Sequence, residues 1–132
     1  MRKIKPDIQN AFSLIGAAKQ QMDFTLSLPV DSRSAATITR NIYECFRMLG
    51  SAILLSKGIK AEDHVLPITE ISNVKINSTR PISSVQNLRN LRHNINYNGY
   101  NPTNAEVNDA ISIAKECFYL AYDKIKKELE FK

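Results

Sequence analysis

Apolar side chains recur along most of this chain at steps of three and four residues, the spacing that places side chains on one face of an α-helix. Four long stretches have this pattern, and a short one lies between the second and the third of them. The predicted long helices run from Pro6 to about Leu28, from Asp31 or Ser32 to Gly58, from Ser83 or Ser84 to about Tyr97, and from Thr103 nearly to the end of the chain. The pattern therefore predicts an all-α fold, an antiparallel bundle of four long helices plus one short helix, in a single domain over residues 1–132.

The second predicted helix is apolar on two adjacent faces. The first stripe consists of Ile38, Ile42, Cys45, Leu49 and Ala52. The second stripe, beside it, consists of Tyr43, Phe46 and Ile53. A helix with this pattern is usually central to a bundle. Asp63 is a candidate cap for the short third helix. Thr103 and Glu106 have the spacing of a capping box at the start of the last helix.

The composition agrees with a globular domain, and the charge balance suits a polyanionic partner, although many basic proteins bind none. The chain has 132 residues, of which 43% are hydrophobic and 23% charged, and its formal net charge is +5. A chain of this length can bury a core without disulfides or metals. The longest apolar run, Ala52 to Leu55, is far too short to span a membrane. No continuous apolar segment follows the basic opening residues, and we therefore expect a cytoplasmic protein.

Most of the candidate chemistry lies on the fourth predicted helix. Arg89, Arg92, His93 and Asn96 stand at positions i, i+3, i+4 and i+7, so that they share one side of the helix beside its apolar stripe. Arginine presents a planar donor fork that matches phosphate oxygens, and histidine titrates near neutral pH. An arginine–histidine pair can also cleave RNA, if the base activates a ribose 2′-hydroxyl and the arginine stabilises the charge on phosphate. On spacing alone, the same residues are more typical of an ordinary solvated helix face, with partly buried arginine stems.

Two windows of the sequence resemble the HEPN domains (higher eukaryotes and prokaryotes nucleotide-binding). The first runs from Ala52 through Gly58 to His64, where a long helix ends at glycine and a turn with a histidine follows; the second is Leu91-Arg-His-Asn-Ile-Asn-Tyr97. HEPN ribonucleases carry an arginine, a polar residue directly after it, and a catalytic histidine about one turn further on. Arg92 and His93 match the first two, but Tyr97 stands where active members keep histidine. A second register pairs Arg89 with His93, one residue closer than the usual spacing.

The resemblance implies a dimeric RNA- or nucleotide-binding domain that is non-catalytic or weakly active, and that works in some cases with a minimal nucleotidyltransferase subunit. The expected ligand contacts are Arg89, Arg92, His93, Asn96, Tyr97 and Tyr100. The two tyrosines can stack on exposed bases, although packing against a neighbouring helix is an equal alternative. The turn residue His64 is expected to help cap a helix.

Two other functions are compatible with the sequence. One is a metal-independent, toxin-like endoribonuclease that uses Arg92, or alternatively Arg89, together with His93. The other is a structural assembly subunit in which the polar row, Arg89, Arg92, His93 and Asn96, serves dimerisation only. The chain has no zinc-ligand spacing and no glycine-rich phosphate loop, so that neither a metal nor a cofactor is expected.

Overall fold

The computed structural model describes residues 2–132 and is mostly helical. The helices are α1 (Ile8–Leu26), α2 (Ala35–Ser56), α3 (Val65–Ser72), α4 (Val85–Asn98), α5 (Asn104–Ile113) and α6 (Tyr119–Glu130). A π-helical segment, Ala114–Phe118, joins α5 to α6 without a break, and a 3₁₀ turn, Ile82–Ser84, leads into α4. Two short strands, β1 (Arg2–Lys3) and β2 (Ile59–Lys60), pair antiparallel. The all-α class is therefore confirmed, with a two-stranded ladder that the sequence pattern did not predict.

Helix α2 lies at the centre of the fold, as its two apolar stripes predicted. It contacts each of the helices α1, α3, α4, α5 and α6. The first stripe is completely buried, and Tyr43 and Phe46 of the second stripe are buried with it. Because α2 has neighbours on all these sides, a polar atom on its buried surface needs a partner within α2, on one of those neighbours or in a ligand.

Gly50 determines how closely α3 approaches α2. A Cβ atom built at this position would lie 2.0 Å from the carbonyl oxygen of Pro67 and 2.7 Å from its carbonyl carbon. Only glycine leaves room for backbone at that distance. The close approach therefore requires glycine at this position, although glycine is a poor helix former. The contact places α3, and with it His64 at its first turn, directly against α2.

The two long N-terminal helices begin later than the sequence pattern predicted. Helix α1 starts at Ile8, because the carboxylate of Asp7 accepts a hydrogen bond from the backbone N–H of Asn10 at 3.0 Å and caps the helix. Before α2, the carboxylate of Asp31 accepts from the backbone N–H groups of Arg33 and Ser34 at 2.8 and 3.0 Å. Asp31 thus holds a separate turn, and α2 begins only at Ala35.

Two predicted caps of the later helices, at Thr103 and Asp63, are confirmed. The Thr103 hydroxyl accepts from the backbone N–H of Glu106 at 3.2 Å, and the Glu106 carboxylate accepts from the backbone N–H of Thr103 at 2.9 Å. The predicted capping box is therefore confirmed. Asp63 caps α3 through the backbone N–H groups of Val65 and Leu66, at 3.0 and 3.3 Å.

The β-ladder holds the turn between α2 and α3 against the start of the chain. Lys3 pairs with Ile59, and the backbone N–H of Ile4 donates to the carbonyl oxygen of Gly58 at 2.9 Å. Gly58 has a φ of 75°, and a Cβ there would lie 2.6 Å from the Ile4 carbonyl oxygen. Both the backbone angle and the close contact require glycine, and together they fix the direction in which the chain leaves α2 toward His64.

Candidate functional site

A cleft of about 350 Å³ opens where α4 meets α2 and the turn before α3. It is lined by Tyr43, His64, Arg89, Asn90, Arg92, His93 and Tyr97. None of these lining residues is acidic, and two of them are arginines. The sequence-predicted residues Arg89, Arg92, His93 and Tyr97 therefore share one cleft, and two residues from other elements join them.

Arg92 is the most constrained cation of the cleft. Its guanidinium carbon lies 5.6 Å from the centroid of the Tyr43 ring, within the range of a cation–π contact. When the Asn96 amide is oriented with its oxygen toward the guanidinium, that oxygen accepts from Nε at 3.1 Å and from Nη2 at 3.2 Å. In the reverse orientation the oxygen accepts from Nη1 of Arg40 at 3.5 Å. Asn96 does not line the cleft; it orients the arginine that does.

His93 and Tyr97 form an aromatic rim at the mouth of the cleft. They lie one turn apart on α4, their ring centroids are 4.6 Å apart, and the rings are inclined by 39°. Tyr97 is 70% exposed, so its ring does not pack into the protein interior. An exposed ring beside two arginines is suited to stacking on an unpaired base.

Tyr100 takes a different position from the other predicted ligand contacts. Its hydroxyl donates to the Glu106 carboxylate at 2.5 Å, and its backbone N–H donates to the Asn94 carbonyl oxygen at 3.2 Å. It is not among the residues that line the cleft. Tyr100 thus joins the end of α4 to the capping box of α5, and the hydrogen bond holds the pKa of Glu106 below its usual range.

The floor of the cleft consists of two residues that the sequence pattern did not single out for binding. Tyr43 is 1% exposed, and its hydroxyl has no hydrogen-bond partner among residues 2–132. The buried Nδ1 atom of His64 also has no partner in that part of the chain. The two rings are nearly parallel, with an angle of 14° and a centroid separation of 6.2 Å. His64 occupies the cap position of α3, but its side chain makes no capping hydrogen bond, contrary to the sequence prediction.

Burial keeps both floor residues uncharged near neutral pH, and for His64 the nearby arginines act in the same direction. Burial raises the pKa of the Tyr43 phenol, and the positive charges of Arg92, Arg89 and Arg47 only partly oppose it. Burial also lowers the pKa of His64, and the charges of Arg47 and Arg92 lower it further, against Glu44 and Asp63. The cleft therefore combines cationic arginines with a neutral phenol and a neutral imidazole.

Tyr43→Phe is expected to stabilise the protein by about 1 kcal/mol, because it removes a buried hydroxyl that has no partner and keeps the ring. Urea denaturation followed by circular dichroism measures the change. Tyr119→Phe is the matched control: the Tyr119 hydroxyl donates to the Asp23 carboxylate, so that this change should destabilise the protein by about 1 kcal/mol. A loss of stability in Tyr43→Phe would show that the hydroxyl has a partner.

Within residues 2–132, no three His, Cys, Asp or Glu side chains lie close enough together to hold a metal ion. In the same part of the chain, no helix has both the length and the apolar character needed to cross a membrane.

Comparison with known proteins gave no significant match to a protein-family model, a curated protein or a solved structure. The HEPN resemblance accordingly rests on the two sequence windows that carry it, and the geometry of the cleft is the basis for a functional proposal.

Proposed function

We propose that this protein is a HEPN-like domain that binds RNA or a nucleotide through its phosphate groups at the cleft between α4, α2 and α3. The observation that supports this most is the convergence of Arg89, Arg92 and His93 on one cleft without an acidic lining residue. Guanidinium groups bind phosphate oxygens through two parallel charge-assisted hydrogen bonds. A cleft lined by charges of one sign also concentrates ligands of the opposite sign.

The surroundings of the arginines suit a nucleotide better than a bare anion. Arg92 is oriented in advance by Asn96 and by the Tyr43 ring, which lowers the entropy cost of binding phosphate. The exposed Tyr97 ring, beside His93, offers a platform for a base next to that phosphate. Phosphate and base recognition together describe a single-stranded RNA or a nucleotide.

The HEPN resemblance extends this proposal to the assembly. It implies an antiparallel helical bundle that forms a homodimer, with the two clefts brought together, and a minimal nucleotidyltransferase as a partner subunit. The exposed rim formed by His93 and Tyr97 leaves the mouth of the cleft open to a second chain or to a strand of RNA. If the polar row served assembly alone, its arginines would have no effect on the salt dependence of RNA binding.

A metal-independent endoribonuclease is the second candidate, and the position of His64 favours it. Tyr97, at the place of the family's catalytic histidine, is a poor general base because a free phenol has a pKa of about 10. His64 brings a neutral imidazole into the same cleft as Arg92, and His93 lines that cleft as well. The proposal of a binding domain and this alternative differ in one observable, cleavage of bound RNA.

Arg92→Ala is expected to weaken binding of a single-stranded RNA by about tenfold to a hundredfold, because it removes charge-assisted hydrogen bonds to phosphate. The plot of log affinity against log salt concentration should also become shallower, by roughly 0.7 for each phosphate that the protein no longer neutralises. Fluorescence anisotropy with a labelled RNA at several salt concentrations measures both. Arg33→Ala is the control, since Arg33 is exposed in the turn before α2 and does not line the cleft. Equal affinity and slope in Arg92→Ala and the unmodified protein would contradict the proposal.

The same labelled RNA and a tRNA, incubated with the protein in EDTA, separate binding from cleavage. Intact RNA in every lane supports the binding domain. Fragments that disappear in both Arg92→Ala and His93→Ala would instead establish the ribonuclease.

A further inference from the structure

We infer that Tyr43 and His64 form a hydroxyl-binding floor in the cleft, through which the protein selects ribonucleotides over deoxyribonucleotides. This inference rests on the proposed function, because the phosphate held by the α4 arginines is what brings a ribose to the floor. It assigns a role in specificity to two residues on elements other than α4.

Two residues that line one cleft each carry a buried polar atom without a partner among the described residues. The Tyr43 side chain is almost completely buried, its hydroxyl has no partner among the described residues, and the same is true of Nδ1 of His64. Both side chains line the cleft that contains Arg92. Buried polar groups are nearly always hydrogen-bonded, and an exception at a cleft points to a ligand atom that completes the bonding.

A hydroxyl group of a ligand offers both the donor and the acceptor that these atoms lack. A phenol can donate or accept, and a neutral imidazole has one donor nitrogen and one acceptor nitrogen. A ligand hydroxyl can donate to a bare Nδ1 while it accepts from Tyr43, or accept from Nδ1–H while it donates to Tyr43. A phosphate oxygen only accepts, and it finds better partners at the cationic arginines. The floor therefore suits a hydroxyl, and the arginines suit the phosphate.

The phosphate site and the floor are neighbours, as are the phosphate and the 2′-hydroxyl of RNA. In RNA the 2′-hydroxyl lies on the ribose next to a phosphate, and this hydroxyl is what allows a protein to distinguish RNA from DNA. The Arg92 guanidinium lies over the Tyr43 ring, so that the two parts of the cleft adjoin.

Two oligonucleotides of the same sequence test the inference. A single strand that contains only adenine and cytosine is prepared as RNA and as DNA, so that the two differ in the 2′-oxygen alone. The unmodified protein should bind the RNA more tightly by about tenfold to a hundredfold, because a deoxyribose leaves the two floor atoms unpaired. Tyr43→Phe keeps the ring beneath Arg92 and removes only the hydroxyl. It should lose most of the RNA preference by weakening RNA binding, with the affinity for DNA unchanged.

His64→Phe is the second variant, since it keeps an aromatic ring beside Tyr43 and removes both nitrogens; it should lose the RNA preference as well. Equal binding of RNA and DNA by the unmodified protein would overturn the hydroxyl-binding floor but leave phosphate binding intact. An RNA preference that survives in both variants would overturn it too. Absence of binding to either strand would overturn the proposed function, and the inference with it.

Discussion

Gly50→Ala is expected to destabilise the protein by about 3 kcal/mol, because the new methyl group would overlap the backbone of α3. Its Cβ would lie 2.0 Å from the Pro67 carbonyl oxygen and 3.0 Å from the Pro67 Cα. Backbone cannot rotate away as the end of a long side chain can, so that α3 has to move as a unit. A loss of this size is a large part of the roughly 5–15 kcal/mol that stabilises a typical domain.

Urea denaturation followed by circular dichroism measures this effect, and Gly16→Ala is the matched control. Gly16 lies in the interior of α1, and a Cβ there would meet nothing within 4 Å. Because alanine favours a helix over glycine, Gly16→Ala should stabilise the protein by about 0.5–1 kcal/mol. Similar denaturation midpoints for the two variants would mean that α2 and α3 do not approach as closely as described.

Gly50→Ala should also affect the cleft, since α3 carries His64 against Tyr43. A displacement of α3 would separate the two rings, which now lie 6.2 Å apart. The arginines proposed to bind phosphate lie on α4, which contacts α2 more extensively than it contacts α3. In molecules that remain folded, we therefore expect a greater loss of RNA preference than of phosphate affinity.

Phe118→Ala is the second large effect, with an expected loss of about 3–5 kcal/mol. The Phe118 ring is completely buried and meets the Phe46 ring edge to face, at 5.5 Å and 82°. The change removes the buried surface, leaves a cavity between α2 and the π-helical segment, and abolishes an aromatic pair. Urea denaturation again provides the measurement.

Phe131→Ala is the control for this prediction, because Phe131 is 89% exposed and its loss should change the stability by less than about 0.5 kcal/mol. A double-mutant cycle with Phe46→Leu and Phe118→Leu isolates the ring pair. We expect a coupling energy of about 0.5–1.5 kcal/mol between the two positions. Additive effects would show that the two rings contribute through burial alone.

The all-α class and most helix ends were predictable because their signals are local. The capping box from Thr103 to Glu106 spans only four residues, and the buried stripes of α2 follow the helical period directly. The start of α2 was predicted too early because Asp31 can cap either a helix or an isolated turn, and here it holds the turn. The β-ladder was missed because strands of two residues have no recognisable alternation.

The candidate site was predictable on one helix only. Arg89, Arg92, His93 and Tyr97 share a side of α4 because of helix geometry, which a sequence displays. Tyr43 and His64 reach the same cleft through the packing of α2 against α3, and no sequence spacing encodes that packing. The apolar stripe to which Tyr43 belongs correctly predicts its burial, but only the surroundings of its hydroxyl show that the group has no partner among the described residues.

The π-helical segment Ala114–Phe118 gives the last helical rod a particular tolerance to changes in chain length. A hydrogen bond from i to i+5 encloses one residue more than the i to i+4 bond of an α-helix. The segment thus accommodates one extra residue, while the buried faces of α5 and α6 stay aligned with each other. Deletion of the exposed Lys115 would restore a regular α-helix with the buried faces of α5 and α6 still directed inward. The same deletion in the middle of α2 would turn every later side chain by about 100° away from its contacts.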